Sequence, residues 1–134
     1  MVAQPVVRAV ESYVAALQRN GIAVRFAVVF GSHVTGMADQ WSDIDVLVVS
    51  PRFDLPRRRA DVDLLWRVAA RTDSRIEPVP SGERQWHEDT SSAIIEIARR
   101  QGEVFAGPNS SPHRGTQYQP VLSGWIAAAT TLYI

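Results

Sequence analysis

Two aspartates separated by a single residue, Asp43 and Asp45, open an aliphatic run that continues to Val49. If that run is a strand, alternation puts both carboxylates on one face and Ile44 on the other. Carboxylates aimed the same way repel each other unless a cation lies between them. An all-oxygen pair open to water and phosphate suits magnesium, which keeps several non-protein ligands. Upstream, Gly31-Ser32 ends another apolar run. A glycine there lets backbone N–H groups approach a phosphate closely, above all where a short helix begins, and the serine hydroxyl adds a donor. Either feature alone is ordinary: a Gly-Ser pair is usually a turn, and Asp-x-Asp at a strand start is usually solvated charge. Together, in this order and joined by a short connection, they form equipment for metal-dependent phosphoryl or nucleotidyl transfer.

The elements that must carry these residues can be read from hydrophobic spacing. Pro5 to Arg19 has apolar residues at Val6, Val7, Val10, Val14 and Leu17, which predicts an amphipathic helix closed by Asn20-Gly21. Ile22 to Phe30 reads as a buried strand, and Ile44 to Val49 as a second one stopped by Ser50-Pro51. Pro56 to Arg71 reads as a helix with Val62, Leu65, Trp66 and Ala69 inward, followed by a short third strand at Arg75 to Val79 bounded by Pro78 and Pro80. A helical turn at Glu83 to Glu88, a helix from Ser91-Ser92 to Arg100 with Ile94, Ile95, Ile97 and Ala98 inward, and a last short strand at Glu103 to Ala106 complete the pattern. The order α-β-β-α-β-α-α predicts an α/β (α+β) class: a small mixed sheet packed with helices. Residues 1–107 form the expected catalytic domain. Residues 108–134 begin as a Pro/Ser/Gly-rich linker and end in an uncharged apolar tail, Val121 to Ile134, whose expected use is docking or oligomer contact.

Bulk composition narrows the partners. The 14 arginines balance 14 acidic residues, so nucleic acid, which usually selects a basic excess, is not the expected partner. The 46% hydrophobic content fits a globular fold rather than a disordered chain. No cysteine is present, which removes disulfides and thiolate metal sites, and no lysine is present, which removes a catalytic lysine. Neither a signal peptide nor a run of about 18 apolar residues is visible, so a cytoplasmic protein without a membrane partner is expected.

The segment Phe30-Gly31-Ser32-His33-Val34-Thr35-Gly36, followed by Ser42-Asp43-Ile44-Asp45 and its aliphatic strand, resembles the nucleotidyltransferase superfamily typified by DNA polymerase β. It looks most like the minimal free-standing members, which include antitoxins partnered with HEPN toxins and relatives of aminoglycoside nucleotidyltransferases. The resemblance spans about Val24 to Phe105. It implies that Gly31 and Ser32 hold the β- and γ-phosphates of ATP or another nucleoside triphosphate, and that Asp43 and Asp45 ligate two Mg2+ ions. It also implies a third carboxylate on a later strand. The position that matches is Glu77, in Arg75-Ile76-Glu77-Pro78, where many members carry Asp. The implied reaction is attack of an acceptor hydroxyl on the α-phosphorus, and the implied acceptor lies on a protein partner such as a HEPN toxin, with self-association as the alternative contact. Two other functions compete: a small-molecule, aminoglycoside-like transferase completed by a partner subunit, and a non-catalytic antitoxin-like binding module.

Several other residues invite a role. His33 follows the Gly-Ser pair but is expected to face solvent, and Thr35 stands where relatives often carry Arg. Arg57, Arg58 and Arg59 read as a solvated basic run. Arg52 and Arg84 could approach a triphosphate, although sequence does not place them. Trp66 has core spacing, whereas Trp41 and Trp86 lie in loop or turn context. His87 and His113 lack metal-ligand spacing.

Overall fold

The computed structural model describes residues 2–107; the expectations for a linker and an apolar tail fall on 108–134, outside the described residues. Helix α1 (Gln4–Arg19) has proline in its first turn and ends at Asn20, after which Gly21 turns the chain with φ +92°. Strand β1 (Phe26–Phe30) leads into the one-turn helix α2 (Ser32–Thr35), and strand β2 (Ile44–Val49) leads into a 3-10 turn, Pro51–Asp54. Helix α3 (Arg59–Thr72), strand β3 (Ile76–Ser81), helices α4 (Glu83–Glu88) and α5 (Ala93–Gln101) and strand β4 (Glu103–Ala106) follow.

The four strands form one mixed sheet in the order β3-β2-β1-β4. β1 runs antiparallel to both β2 and β4, whereas β2 and β3 are parallel and are joined through α3. The expected mixed sheet with packed helices is therefore the observed architecture.

Strand parity divides the core. Ala27, Val29, Ile44, Val46, Val48 and Ile76 pack with α1 and α3 through Val10, Leu17, Leu65 and Val68. Phe26, Val28, Phe30, Leu47 and Val49 pack on the other face with Trp86, Ile95 and Ala98 of α4 and α5. Each fully buried branched side chain in these layers is worth about 1.5–3 kcal/mol relative to exposure. Tyr13 links α1 to α3 by donating its buried hydroxyl to the Leu65 carbonyl at 2.9 Å, and burial raises its phenol above the usual value.

Several sequence expectations need correction. The first strand is shorter than Ile22 to Phe30, because Ile22 and Val24 join the α1/α3 core from the connection that precedes the ladder. The third strand includes both Pro78 and Pro80 rather than ending between them. β3 lies at the sheet edge, where the N–H groups that proline lacks would point away from β2 and bond to nothing in the sheet. Trp66 is 48% exposed, and Val68 takes its place in the core; Ile94 is likewise exposed while Ile95 and Ala98 point inward. Trp86 is buried rather than displayed on a turn, meeting Phe26 edge to face with ring centroids 5.6 Å apart. Arg99 lies over Trp86 and donates to its carbonyl at 2.8 Å, tying α5 to α4.

Candidate active site

The Gly31-Ser32 turn and the β2 carboxylates meet at one end of the sheet. Phe30, the last residue of β1, stands opposite Asp45, and Asp45 stands opposite Glu77 in the parallel β2–β3 ladder. Asp45 and Glu77 are odd-numbered like Leu47, Val49 and Val79, so they share the sheet face covered further along by Trp86 and α5. Asp43 precedes β2 with the same parity. Asp45 and Glu77 thus share one face from two adjacent strands, and Asp43 enters from the residue before β2.

Gly31 is the other side of this arrangement. Its backbone has φ +79° and ψ −150°, a conformation that residues with a Cβ adopt only under strain. A Cβ there would lie 2.3 Å from Asp45 Oδ2. The carboxylate therefore occupies the space where any other residue would have its side chain. Sequence reasoning assigned Gly31 to phosphate approach; what the structure shows is that its missing Cβ accommodates Asp45. The N–H groups of Val34 and Thr35 are used within the turn, both donating to the Gly31 carbonyl.

Electrostatics follow from this crowding. Burial, reinforced by Asp43, raises the proton affinity of Asp45, while His33 pulls it the other way. Glu77 is also raised, first by a hydrogen bond with Asp43, which needs a proton between the two carboxyls, and then by burial and the charges of Asp43 and Asp45. Both shifts arise from burial and crowded carboxylates, and a cation would oppose them. Among the described residues, no three carboxylate or imidazole groups close on a point as a complete protein cage for a metal would. Magnesium needs no such cage, since one or two carboxylates plus substrate phosphates are its usual set. A mutually repelling oxygen pair beside an accessible turn fits that ion.

The connection from α2 to Asp43 is more ordered than its polar sequence suggests. The Asp39 carboxylate accepts from the Trp41 N–H at 2.9 Å and from Ser42 Oγ at 3.1 Å. Arg75, held by Asp73 at 2.8 Å, donates to the Gln40 carbonyl at 3.2 Å. His33 does not simply face solvent: it is half-buried, with Nε2 3.2 Å from the Ser42 carbonyl oxygen. The contacts of His33 and Arg75 were hidden from sequence because their partners are backbone carbonyls, which leave no spacing pattern. Above this fastened loop, Met37 and Trp41 are 80% and 77% exposed.

Arg52, Arg57, Arg59 and Arg84 bond to other partners. Arg52 follows the far end of β2 and bonds Asp61 and the Gly21 carbonyl. Arg84 pairs with Glu88, and Arg59 with Asp63, both at 3.8 Å on exposed helix faces. Arg57 reaches Gln85 at 2.7 Å and lies over Phe53.

The model of the nucleotidyltransferase domain matches residues 10–101, which include the turn, all three acidic residues and every strand but β4. The chain belongs to this nucleotidyltransferase family. It is accordingly a nucleotidyltransferase in class. A comparison with curated proteins gives no match. Among solved structures, the chain resembles one described as a toxin–antitoxin with AMP-PNP, at 20% identity and TM-score 0.52, covering 80% of this chain and 78% of that one. It also resembles a mutant of the toxin–antitoxin MntA–HpeT carrying two aspartate-to-glutamate changes, at 17% identity and TM-score 0.51, covering 79% and 77%. At such identities these two likenesses speak for the fold. Among the described residues, no helix is long and apolar enough to cross a membrane.

Proposed function

We propose that this nucleotidyltransferase moves AMP from ATP to a hydroxyl group on a partner protein, of the kind a HEPN toxin would present. The observation that carries the reading is the approach of Gly31 to Asp45, which brings the Gly31-Ser32 turn against the carboxylate face of β2 and β3. Gly31 and Ser32 bind the triphosphate. Asp43 and Asp45 would hold Mg2+, and Glu77 completes the acidic face from the neighbouring strand. Bound magnesium would neutralise phosphate charge as it develops in the transition state. The acceptor oxygen forms a bond to the α-phosphorus, the bond from that phosphorus to the α–β bridging oxygen breaks, and pyrophosphate leaves with the electron pair. The acceptor proton passes to Glu77 or Asp45.

The protein acceptor is supported by the exposed Met37 and Trp41 on the loop entering Asp43. Large apolar side chains displayed beside a polar site are a common feature of protein contact surfaces. That the similar structures are described as toxin–antitoxin pairs, one with AMP-PNP, points the same way.

The test is incubation of the chain with ATP labelled at the α-phosphate, Mg2+ and a candidate HEPN-type protein. Label should move to the protein with the wild type and not with folded Asp45→Ala. Label that remains wholly on nucleotide, or transfer undiminished in Asp45→Ala, overturns the proposal.

A further inference from the structure

Asp43 and Asp45 are held by different means. Asp45 lies inside β2, with Phe30 on one side of it in the ladder and Glu77 on the other. Asp43 stands one residue before the strand and is exposed, so its direction depends on the peptide groups that flank it. The following N–H, of Ile44, donates to the Arg75 carbonyl at 2.8 Å. The preceding carbonyl, of Ser42, faces His33 Nε2 at 3.2 Å. A carbonyl oxygen can only accept, so Nε2 carries the hydrogen in this contact.

His33 also sits next to Ser32 in α2. The bond therefore joins the phosphate-binding turn to the peptide that orients Asp43. The rest of the connection folds on itself through Asp39, Trp41 and Ser42, and Arg75 fastens it to β3. Among the hydrogen bonds described here, the one from His33 runs from a side chain of α2 to the carbonyl just before Asp43.

We propose that His33 is a positioning residue. Its Nε2–H holds the Ser42–Asp43 peptide in register with Ser32, so that metal and triphosphate are received by one prearranged unit. This inference rests on the nucleotidyl-transfer reading for its purpose, but the hydrogen bond can be tested without turnover. Placement of first ligands through such outer contacts commonly changes metal affinity by 10–100-fold.

The experiment compares wild type, His33→Ala and His33→Gln, the last of which keeps an N–H donor at similar reach. Mn2+ binding with AMP-PNP present is read from the EPR signal of free Mn2+, alongside thermal unfolding and the steady-state constants for ATP. His33→Ala should weaken Mn2+ binding about tenfold or more and lower kcat more than it raises KM, while His33→Gln recovers most of both. Unchanged Mn2+ binding in folded His33→Ala overturns the inference, as does equal weakening in Ala and Gln. If the wild type binds Mn2+ with AMP-PNP but transfers no label, the transfer reading fails while the Mn2+ comparison still decides the role of His33. A wild type that binds no Mn2+ overturns both.

Discussion

Replacing Gly31 by Ala perturbs the backbone and the acidic face in one step, and the two effects can be separated. With φ +79° and ψ −150°, the new residue must adopt a conformation nearly reserved for glycine, at a cost of about 1–3 kcal/mol. Its Cβ would also meet Asp45 Oδ2 at 2.3 Å and Cγ at 3.3 Å, so the carboxylate has to retreat by about 1 Å to reach ordinary contact. A displacement of that size at a reacting centre is enough to cost about 100-fold in rate. Gly21→Ala is the matched control: φ is +92° there, yet nothing lies within 4 Å of the added Cβ. It should lose stability of the same order, about 1–2 kcal/mol from left-handed strain, with transfer unchanged. Urea unfolding measures the first quantity, and single-turnover transfer from labelled ATP measures the second. Folded Gly31→Ala turning over at the wild-type rate would falsify the reasoning, because the carboxylate would then have no need of the space that glycine leaves.

Trp41→Ala should reduce transfer to a protein acceptor by about tenfold or more, in line with loss of an aromatic anchor. Its melting temperature should stay near that of the wild type, since the side chain is 77% exposed, and a folded variant with undiminished transfer argues against a contact at this loop. Asp45→Asn should stabilise the metal-free protein at pH 7, because burial and Asp43 raise the proton affinity of Asp45 in the fold and so penalise its charged form. The sign follows from linkage: the penalty is absent below the unfolded value of about 3.9 and grows as pH rises through the folded one. Denaturant melts in EDTA should therefore diverge toward neutral pH and converge below about pH 4; a variant less stable at pH 7 contradicts the account.

The parts of this protein that sequence discloses are those governed by local pattern. Asp43, Ile44 and Asp45 could be assigned to faces because a strand has a period of two, and Ile44 is indeed buried while Asp45 is only partly so. The Asn20-Gly21 stop and the Gly31-Ser32 turn were likewise readable from residue type. What escaped depends on the tertiary neighbour. Helical spacing allows two overlapping stripes through Leu65 and Ala69 on α3, one adding Val62 and Trp66 and the other Asp61 and Val68, and packing against α1 decides for the second. The extent of β3 was hidden because proline excludes a central strand but not an edge, and sheet order is a non-local fact. The hydrogen bonds from His33 and Arg75 were invisible for a related reason: their partners are carbonyls 9 and 35 residues away, and every residue has a carbonyl.

Strand β2 carries a residue that folding alone would not choose. On one face it presents Ile44, Val46 and Val48, all fully buried, and on the other Leu47 and Val49, equally buried. Position 45 completes that second row, and an apolar side chain there would extend the layer formed with Phe30. The chain instead places a carboxylate at this position, burial disfavours its charge, and a second acid faces it across the ladder at Glu77. A solvated pair at the surface would need no special neighbour, but here Gly31 forgoes its Cβ to admit the Asp45 oxygen. Partial burial, like-charge crowding and a glycine that makes room are together costly to the fold. A cation shared with phosphate would offset those costs, and with them the metal-dependent reading of this face has a physical basis beyond its sequence motif.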